Sequence, residues 1–168
     1  VPGRIDQVDW HRWEPRQRAT LLFVVKGGEI LLIHKKRGLG AGKINGPGGR
    51  IDPGETPRDC AVRETREELR ITPVGVRDCG QLRFQFVDGL SIHGFVFTAE
   101  GYEGQPQETE EARPFWVPLD RIPFERMWAD DRLWFPHMLA GRHFEGRFLF
   151  DDDELLDWAL DVEAERAG

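Results

Sequence analysis

Cysteine is nearly absent from this chain. Cys60 and Cys79 are its only two, and two thiols cannot make the disulfide framework of a small secreted domain. They are expected to be free thiols in a reducing compartment, which points to the cytoplasm. No apolar run approaches the roughly 20 residues that span a bilayer, and no secretory signal is apparent, so no membrane partner is expected. Positive charge is also in deficit: 23 Lys and Arg face 30 Asp and Glu, for a net charge of −7 and a pI near 5.3. Such a surface repels a polyanion at long range, which argues against a nucleic acid polymer as partner. A small nucleotide neutralised by metal is easier to accept. What remains is 168 residues, 39% hydrophobic and 32% charged, without internal repeats. That suits one domain with a single core, and a monomer is expected.

The most informative stretch is Gly49-Arg50-Ile51-Asp52-Pro53-Gly54-Glu55, followed by Arg63-Glu64-Thr65-Arg66-Glu67-Glu68. A helix is signposted between and through them. Thr56 is placed as N-cap, Pro57 as first helical residue, and Asp59 at the third position of a capping box. Ala61, Val62, Thr65 and Leu69 give one side apolar contacts to bury. Glu64, Glu67 and Glu68, at i, i+3 and i+4, bring three carboxylates to one side. Like charges at that spacing destabilise an isolated helix by roughly 0.2–0.5 kcal/mol per pair, a term that a bound cation reverses. Hard oxygen donors of this kind suit Mg²⁺ or Mn²⁺. Arg63 lies four residues before Glu67 and can pair with it. The plain alternative is a solvated charged face.

Elsewhere the pattern is mainly strand. Residues 1–17 read as a polar extension with Trp10 and Trp13 as anchors, 18–163 as the domain, and 164–168 as a tail. Leu21–Val25 and Ile30–Ile33 are apolar runs joined by Gly27-Gly28, a hairpin signal. Residues 37–54 form a glycine-rich loop whose backbone N–H groups can approach an anion. Val74–Val76 is a short strand segment. Gln81–Val87 alternates with period two, Asp88-Gly89 turns, and Leu90–Thr98 returns. Residues 101–113 are acidic and loop-like, followed by the short apolar stretch Pro114–Val117. A helix is expected over Asp131–Gly141, with Pro136 bending it or marking its start. A second hairpin should turn at Asp151-Asp152-Asp153. Strands interrupted by two helices predict an α/β (α+β) sandwich.

Gly49, Glu55, Arg63, Glu64, Glu67 and Glu68 resemble the Nudix box, the signature of Mg²⁺-dependent hydrolases of nucleoside diphosphate-linked compounds. The resemblance implies a mixed β-sheet sandwiched between helices. It also implies metal ligands at Gly49, Glu64, Glu67, Glu68 and Glu111, with Glu108 and Glu110 as rivals to Glu111. Thr65 and Arg70 depart from the pattern, which prefers an aliphatic residue and a glycine. Further stretches resemble the branch of the family that clears oxidised purine nucleoside triphosphates. They are Lys35-Lys36-Arg37-Gly38, Asn45-Gly46, Phe84-x-Phe86, Ile122-Pro123-Phe124 and Met127-Trp128-x-Asp130-Asp131-x-x-Trp134-Phe135-Pro136. By that resemblance Thr20, Lys35, Asn45, Phe84, Trp128, Asp130 and Asp131 bind substrate. Leu39 and Ile44 stand where that branch has aromatic residues near the base.

The chemistry of the tryptophan-aspartate run can be argued directly. Trp128 can stack on a purine for roughly 1–3 kcal/mol. Asp130 and Asp131, converging on one base, would titrate as a coupled pair, one protonated and donating, the other accepting. An 8-oxopurine carries N7–H where guanine has an acceptor, so a carboxylate facing N7 favours the oxidised base. Exchanging the proton between the two would admit 2-hydroxyadenine. The alternative is a helix N-cap at Asp130-Asp131 beside a core tryptophan. The expected reaction converts a nucleoside triphosphate to monophosphate and pyrophosphate, with Mg²⁺ held by the glutamates and Arg63 orienting them. Glu64, Glu67 or Glu111 would take the proton from water. Rival readings are hydrolysis of a dinucleotide or nucleotide sugar, a non-catalytic nucleotide-binding module, and a scaffold presenting exposed Trp10 and Trp13.

Overall fold

Residues 3–164 are described by a computed structural model. The expected tail, 164–168, therefore lies outside the described residues except for Ala164. A 3-10 turn, Ile5–Gln7, precedes β1 (Gln17–Lys26), β2 (Glu29–Lys35), β3 (Ile44–Asn45), β4 (Gly48–Arg50) and α1 (Pro57–Leu69). Then come β5 (Ile71–Val74), β6 (Arg77–Phe86), β7 (Ser91–Ala99), β8 (Gly101–Gly104) and β9 (Ala112–Pro118). Another 3-10 turn, Phe124–Arg126, leads to α2 (Asp131–Leu139), β10 (Phe144–Asp151) and β11 (Glu154–Val162).

The Gly27-Gly28 turn forms, but β1 and β2 pair only beside it, Val25 opposite Ile30 and Lys26 opposite Glu29. Beyond those pairs the strands part. β1 takes β4 as antiparallel partner and β7 as parallel partner. β2 takes β3 and β9, both antiparallel. β6 pairs antiparallel with β7 and parallel with β10, which forms a hairpin with the edge strand β11. The mixed sheet expected from the sequence is thus present, and its split between β1 and β2 makes room for a site.

Two stretches read as loop contain strand. β3 and β4 lie within 37–54, and β8, which pairs with β5, lies within 101–113 together with the first residues of β9. None of these short pieces carries an alternating pattern; distant backbone partners recruit them, a tertiary effect that local periodicity does not record. Pro136 neither starts α2 nor ends it. The helix begins at Asp131 and carries the proline inside.

The runs 21–25 of β1 and 30–33 of β2 are continuously apolar because both of their faces are covered. Leu22, Val24, Leu31 and Ile33 pack with Ala61 and Leu69 of α1 and with Phe95 and Phe97. Phe23, Ile30 and Leu32 pack with Trp134 and Phe135 of α2 and with Leu82, Phe144 and Phe148. Trp134 is wholly buried and stacks on Phe144 with centroids 5.4 Å apart. The N-terminal extension lies against the sheet. Trp10 and Trp13 contact each other at 5.5 Å, the Trp13 indole donates to Gln85, and Arg147 sits over Trp10. Both tryptophans are half-buried, which removes the main support for a scaffold that displays them. No helix among the described residues is long and apolar enough to cross a membrane.

Candidate active site

Helix α1 starts and stops where its sequence dictates, with one exception. Thr56 caps it, its hydroxyl accepting from the Asp59 N–H at 3.1 Å, and Pro57 is the first helical residue. Ala61, Thr65 and Leu69 are buried, and Val62 is half-buried. Thr65 fits its apolar surroundings because its hydroxyl donates to the Ala61 carbonyl at 2.8 Å. The exception is Arg70, which terminates the helix at φ 63°, in the left-handed region that favours glycine.

The glutamates of α1 do not share one environment. Glu68 is buried, Glu64 half-buried and Glu67 exposed. Glu64, Glu68 and Glu111 bring carboxylate oxygens within 4.8 Å of one another. Glu67 is outside that trio and instead accepts from Arg63 at 3.3 Å. Arg63 is held by Glu55 through two bonds, Nε to Oε2 at 2.7 Å and Nη2 to Oε1 at 2.9 Å. The same guanidinium reaches Glu64 at 2.8 Å and the Arg50 carbonyl at 3.1 Å. Its hydrogen bonds hold the Glu55 carboxyl down at about 2. Glu55 had no role assigned from the sequence, although its place in the box signalled it. Gly49 permits the close approach of Glu64, since a Cβ there would lie 2.4 Å from the Glu64 Cδ.

Glu111 reaches the trio because the chain before it is tied to α1. The Thr109 hydroxyl donates to the Glu68 carbonyl at 2.7 Å, and the Gln107 N–H to the Leu69 carbonyl at 2.9 Å. Its two rivals are engaged elsewhere, Glu108 with Lys36 and Glu110 with Arg37. Burial, and then the Glu64 and Glu111 charges, push Glu68 up to about 8. Its Oε2 is buried without a hydrogen-bond partner. An orphaned acceptor beside two more carboxylates is unfavourable alone and suits a divalent cation with oxygen ligands. The residues present therefore fit such an ion.

A cavity of about 150 Å³ runs from Glu68 into the gap between β1 and β2. All seven residues expected to bind substrate line it: Thr20, Lys35, Asn45, Phe84, Trp128, Asp130 and Asp131. Gly49 and Glu68 join them at the acidic end. The Thr20 hydroxyl meets the Cys60 thiol at 3.3 Å. Lys35 donates to the Leu39 carbonyl at 2.7 Å, and burial lowers its pKa against the opposing pull of Glu68, Glu64 and Glu111. Asn45 accepts from the Gly46 N–H at 2.8 Å. Leu39 is on the cavity wall, but Ile44 is not; it is buried in the core with Phe23 and Ile30. The expectation that both flank the base is corrected for Ile44, whose position in β3 turns it inward.

At the far end, Trp128 meets the edges of Phe86 and Phe150, with centroids 6.1 and 5.5 Å away. Both phenylalanines line the cavity, and neither had a binding role assigned. Their alternation showed which strand face they share, while the fold alone brings β6 and β10 together. Asp130 stands at the N-cap position of α2, but its side chain makes no capping hydrogen bond. Its Oδ2 accepts from the Trp134 indole at 2.7 Å, so the N-cap reading holds for its position and not for its carboxylate. Both aspartates are buried, and Asp131 Oδ2 has no hydrogen-bond partner. Burial raises Asp130 to about 6, and burial together with the Asp130 charge raises Asp131 well above the usual carboxylate range. At neutral pH the pair can hold one proton between them and so present a donor and an acceptor side by side.

The NUDIX domain profile matches residues 15–138. An oxidized purine nucleoside triphosphate hydrolase of Danio rerio is 44% identical over 140 residues, covering 82% of this chain and 88% of that protein. The Mus musculus protein of the same description is 41% identical over 145 residues, covering 84% and 92%. The crystal structure of a MutT protein from Bacillus halodurans superposes with a TM-score of 0.78 at 30% identity, over 86% of this chain and 97% of that one.

Proposed function

The chain belongs to the Nudix family, and from that premise we propose that it hydrolyses oxidised purine nucleoside triphosphates, 8-oxo-dGTP and 2-hydroxy-dATP among them, to the monophosphate and pyrophosphate. The observation that carries this reading is one cavity with two chemically different ends. Glu68 and its neighbours close one end, and Trp128, Asp130 and Asp131 close the other. The Danio rerio and Mus musculus proteins, matched over 88% and 92% of their length, are oxidized purine nucleoside triphosphate hydrolases, which supports this reading.

Glu64, Glu68 and Glu111 would hold Mg²⁺, or Mn²⁺ in its place, with Gly49 and Glu67 as the further ligands expected from the family. When bound, the ion neutralises phosphate charge and makes water a better nucleophile at neutral pH. Arg63 fixes Glu64 and Glu67 in place. Lys35, inside the cavity, attracts the phosphates. Glu64, Glu67 or Glu111 accepts the proton of the attacking water. At the other end, one of Asp130 and Asp131 accepts from the N7–H of an 8-oxopurine while its protonated neighbour donates to O6. Asn45 reads a further edge, and Phe84 and Trp128 enclose the ring. The unpaired thiols Cys60 and Cys79 support a reducing, cytoplasmic setting, and we assign the active form to the monomer.

Parallel assays with 8-oxo-dGTP, 2-hydroxy-dATP, dGTP and NADH in the presence of Mg²⁺ test the proposal. The oxidised purines should be turned over with the highest kcat/KM. Equal rates for all four would remove the specificity, and no magnesium dependence would remove the chemistry. Glu67→Gln should slow turnover; an unchanged rate would take that glutamate out of the catalytic set.

A further inference from the structure

Trp128 lines the cavity but Lys43 does not, and yet the Lys43 ammonium lies over the indole, 5.1 Å from the ring centroid. The ammonium is also anchored from behind, with Asp153, in the β10–β11 turn, 3.6 Å away. The loop holding Lys43 is closed by its own backbone, Lys43 N–H to the Gly40 carbonyl at 2.9 Å and Gly42 N–H to the Lys35 carbonyl at 2.8 Å. The same loop abuts the edge of the indole, for a Cβ on Gly40 (φ 79°) would lie 2.8 Å from the Trp128 Nε1. One ring is thus gripped on its edge by Gly40 and on one face by a cation that spans to the β10–β11 turn.

We propose that Lys43 is a positioning residue: clamped between Asp153 and one face of Trp128, it fixes the indole against which the purine stacks. The inference rests on the substrate reading given above. A cation over one face of an indole is attracted by the ring quadrupole and restricts its rotation, so the ring is set before the base arrives. The Lys43 charge also acts on Asp131, lowering its pKa against the opposing effects of burial and Asp130. The charged groups acting on Asp131 are then Asp130 on its own segment and Lys43 on the neighbouring loop.

The test compares Lys43→Met, Lys43→Arg, Asp153→Asn and Trp128→Ala in the full chain. Steady-state kinetics are measured with 8-oxo-dGTP and Mg²⁺ across pH 5–9, beside a thermal melt of each variant. Lys43→Met should raise KM by about three- to tenfold with kcat within twofold, the loss expected of a partly desolvated cation–π contact. Its pH profile should also shift to higher pH, because Asp131 loses a favourable charge. Lys43→Arg should restore both. Asp153→Asn should give an intermediate rise in KM. Wild-type KM and pH profile in Lys43→Met would overturn the proposal, as would a loss in Lys43→Arg equal to that in Lys43→Met. If Trp128→Ala also leaves KM unchanged, the purine does not stack there and the substrate reading falls; a defect in Trp128→Ala alone sinks only the role of Lys43.

Discussion

Glu68 carries the strongest conflict between folding and chemistry. Its carboxyl is buried, has an orphaned oxygen and is pushed up to about 8, which a stable core would avoid. Glu68→Gln keeps the shape and removes the charge. It should lower turnover by more than the ~10–100-fold that losing an outer partner of a metal site commonly costs. Isothermal titration with Mn²⁺ in the presence of nucleotide should show the matching loss of affinity. Arg70 is a different kind of conflict. A side chain at φ 63° carries a local penalty of about 1–2 kcal/mol. Arg70→Gly should therefore raise stability by about 1 kcal/mol, seen as a gain of roughly 2–4 °C in Tm, with activity retained. The sequence exposed this position as a departure from the family pattern; the backbone shows that the arginine adopts the glycine conformation rather than avoiding it.

At the scale of elements, the site depends on how β4 meets α1. Gly49 pairs with Thr20 of β1 and faces the Glu64 carboxylate closely enough that a methyl group would overlap it. Gly49→Ala should displace Glu64, breaking the trio without unfolding the helix. Far-UV circular dichroism should match the wild type while kcat falls by at least about tenfold. The helix was legible from its capping residues and apolar spacing, and the large strands from alternation or continuous apolar runs. β3, β4 and β8 were not, because two to four residues carry too little pattern and exist only through their partners. The same limit hid the division of labour among the glutamates. Spacing put Glu64, Glu67 and Glu68 on one side of α1, but only the packing of the 107–111 segment shows that Glu111, and not Glu67, completes the close trio.

For the whole molecule, pH should pull stability in two directions. Glu55 has a depressed pKa in the folded state, so its contribution is present above the unfolded value of about 4.3 and is lost as pH falls toward 2. Asp130 and Asp131 are raised. The folded state then binds more protons than the unfolded state above about pH 3.9, and stability declines as pH rises through the folded values. The stability maximum should accordingly be weakly acidic. Asp131→Asn removes the buried charge without changing the volume, and it should diminish the loss of Tm between pH 5 and pH 8. An undiminished loss would mean that the pair is not the source of the alkaline slope.

The sequence alone determined the reaction family, the helix that bears the acidic residues, and seven of the residues that line the cavity. It could do so because capping chemistry, carboxylate spacing and the tryptophan-aspartate run are local, and local patterns survive in one dimension. Tertiary structure decided the rest. It turned Ile44 into the core, placed Phe150 of β10 beside Phe86 of β6, chose Glu111 over Glu108 and Glu110, and set Lys43 over the Trp128 ring. Each of these depends on separate segments of the chain meeting in the fold, a relation fixed by packing and strand pairing rather than by the residues on either side.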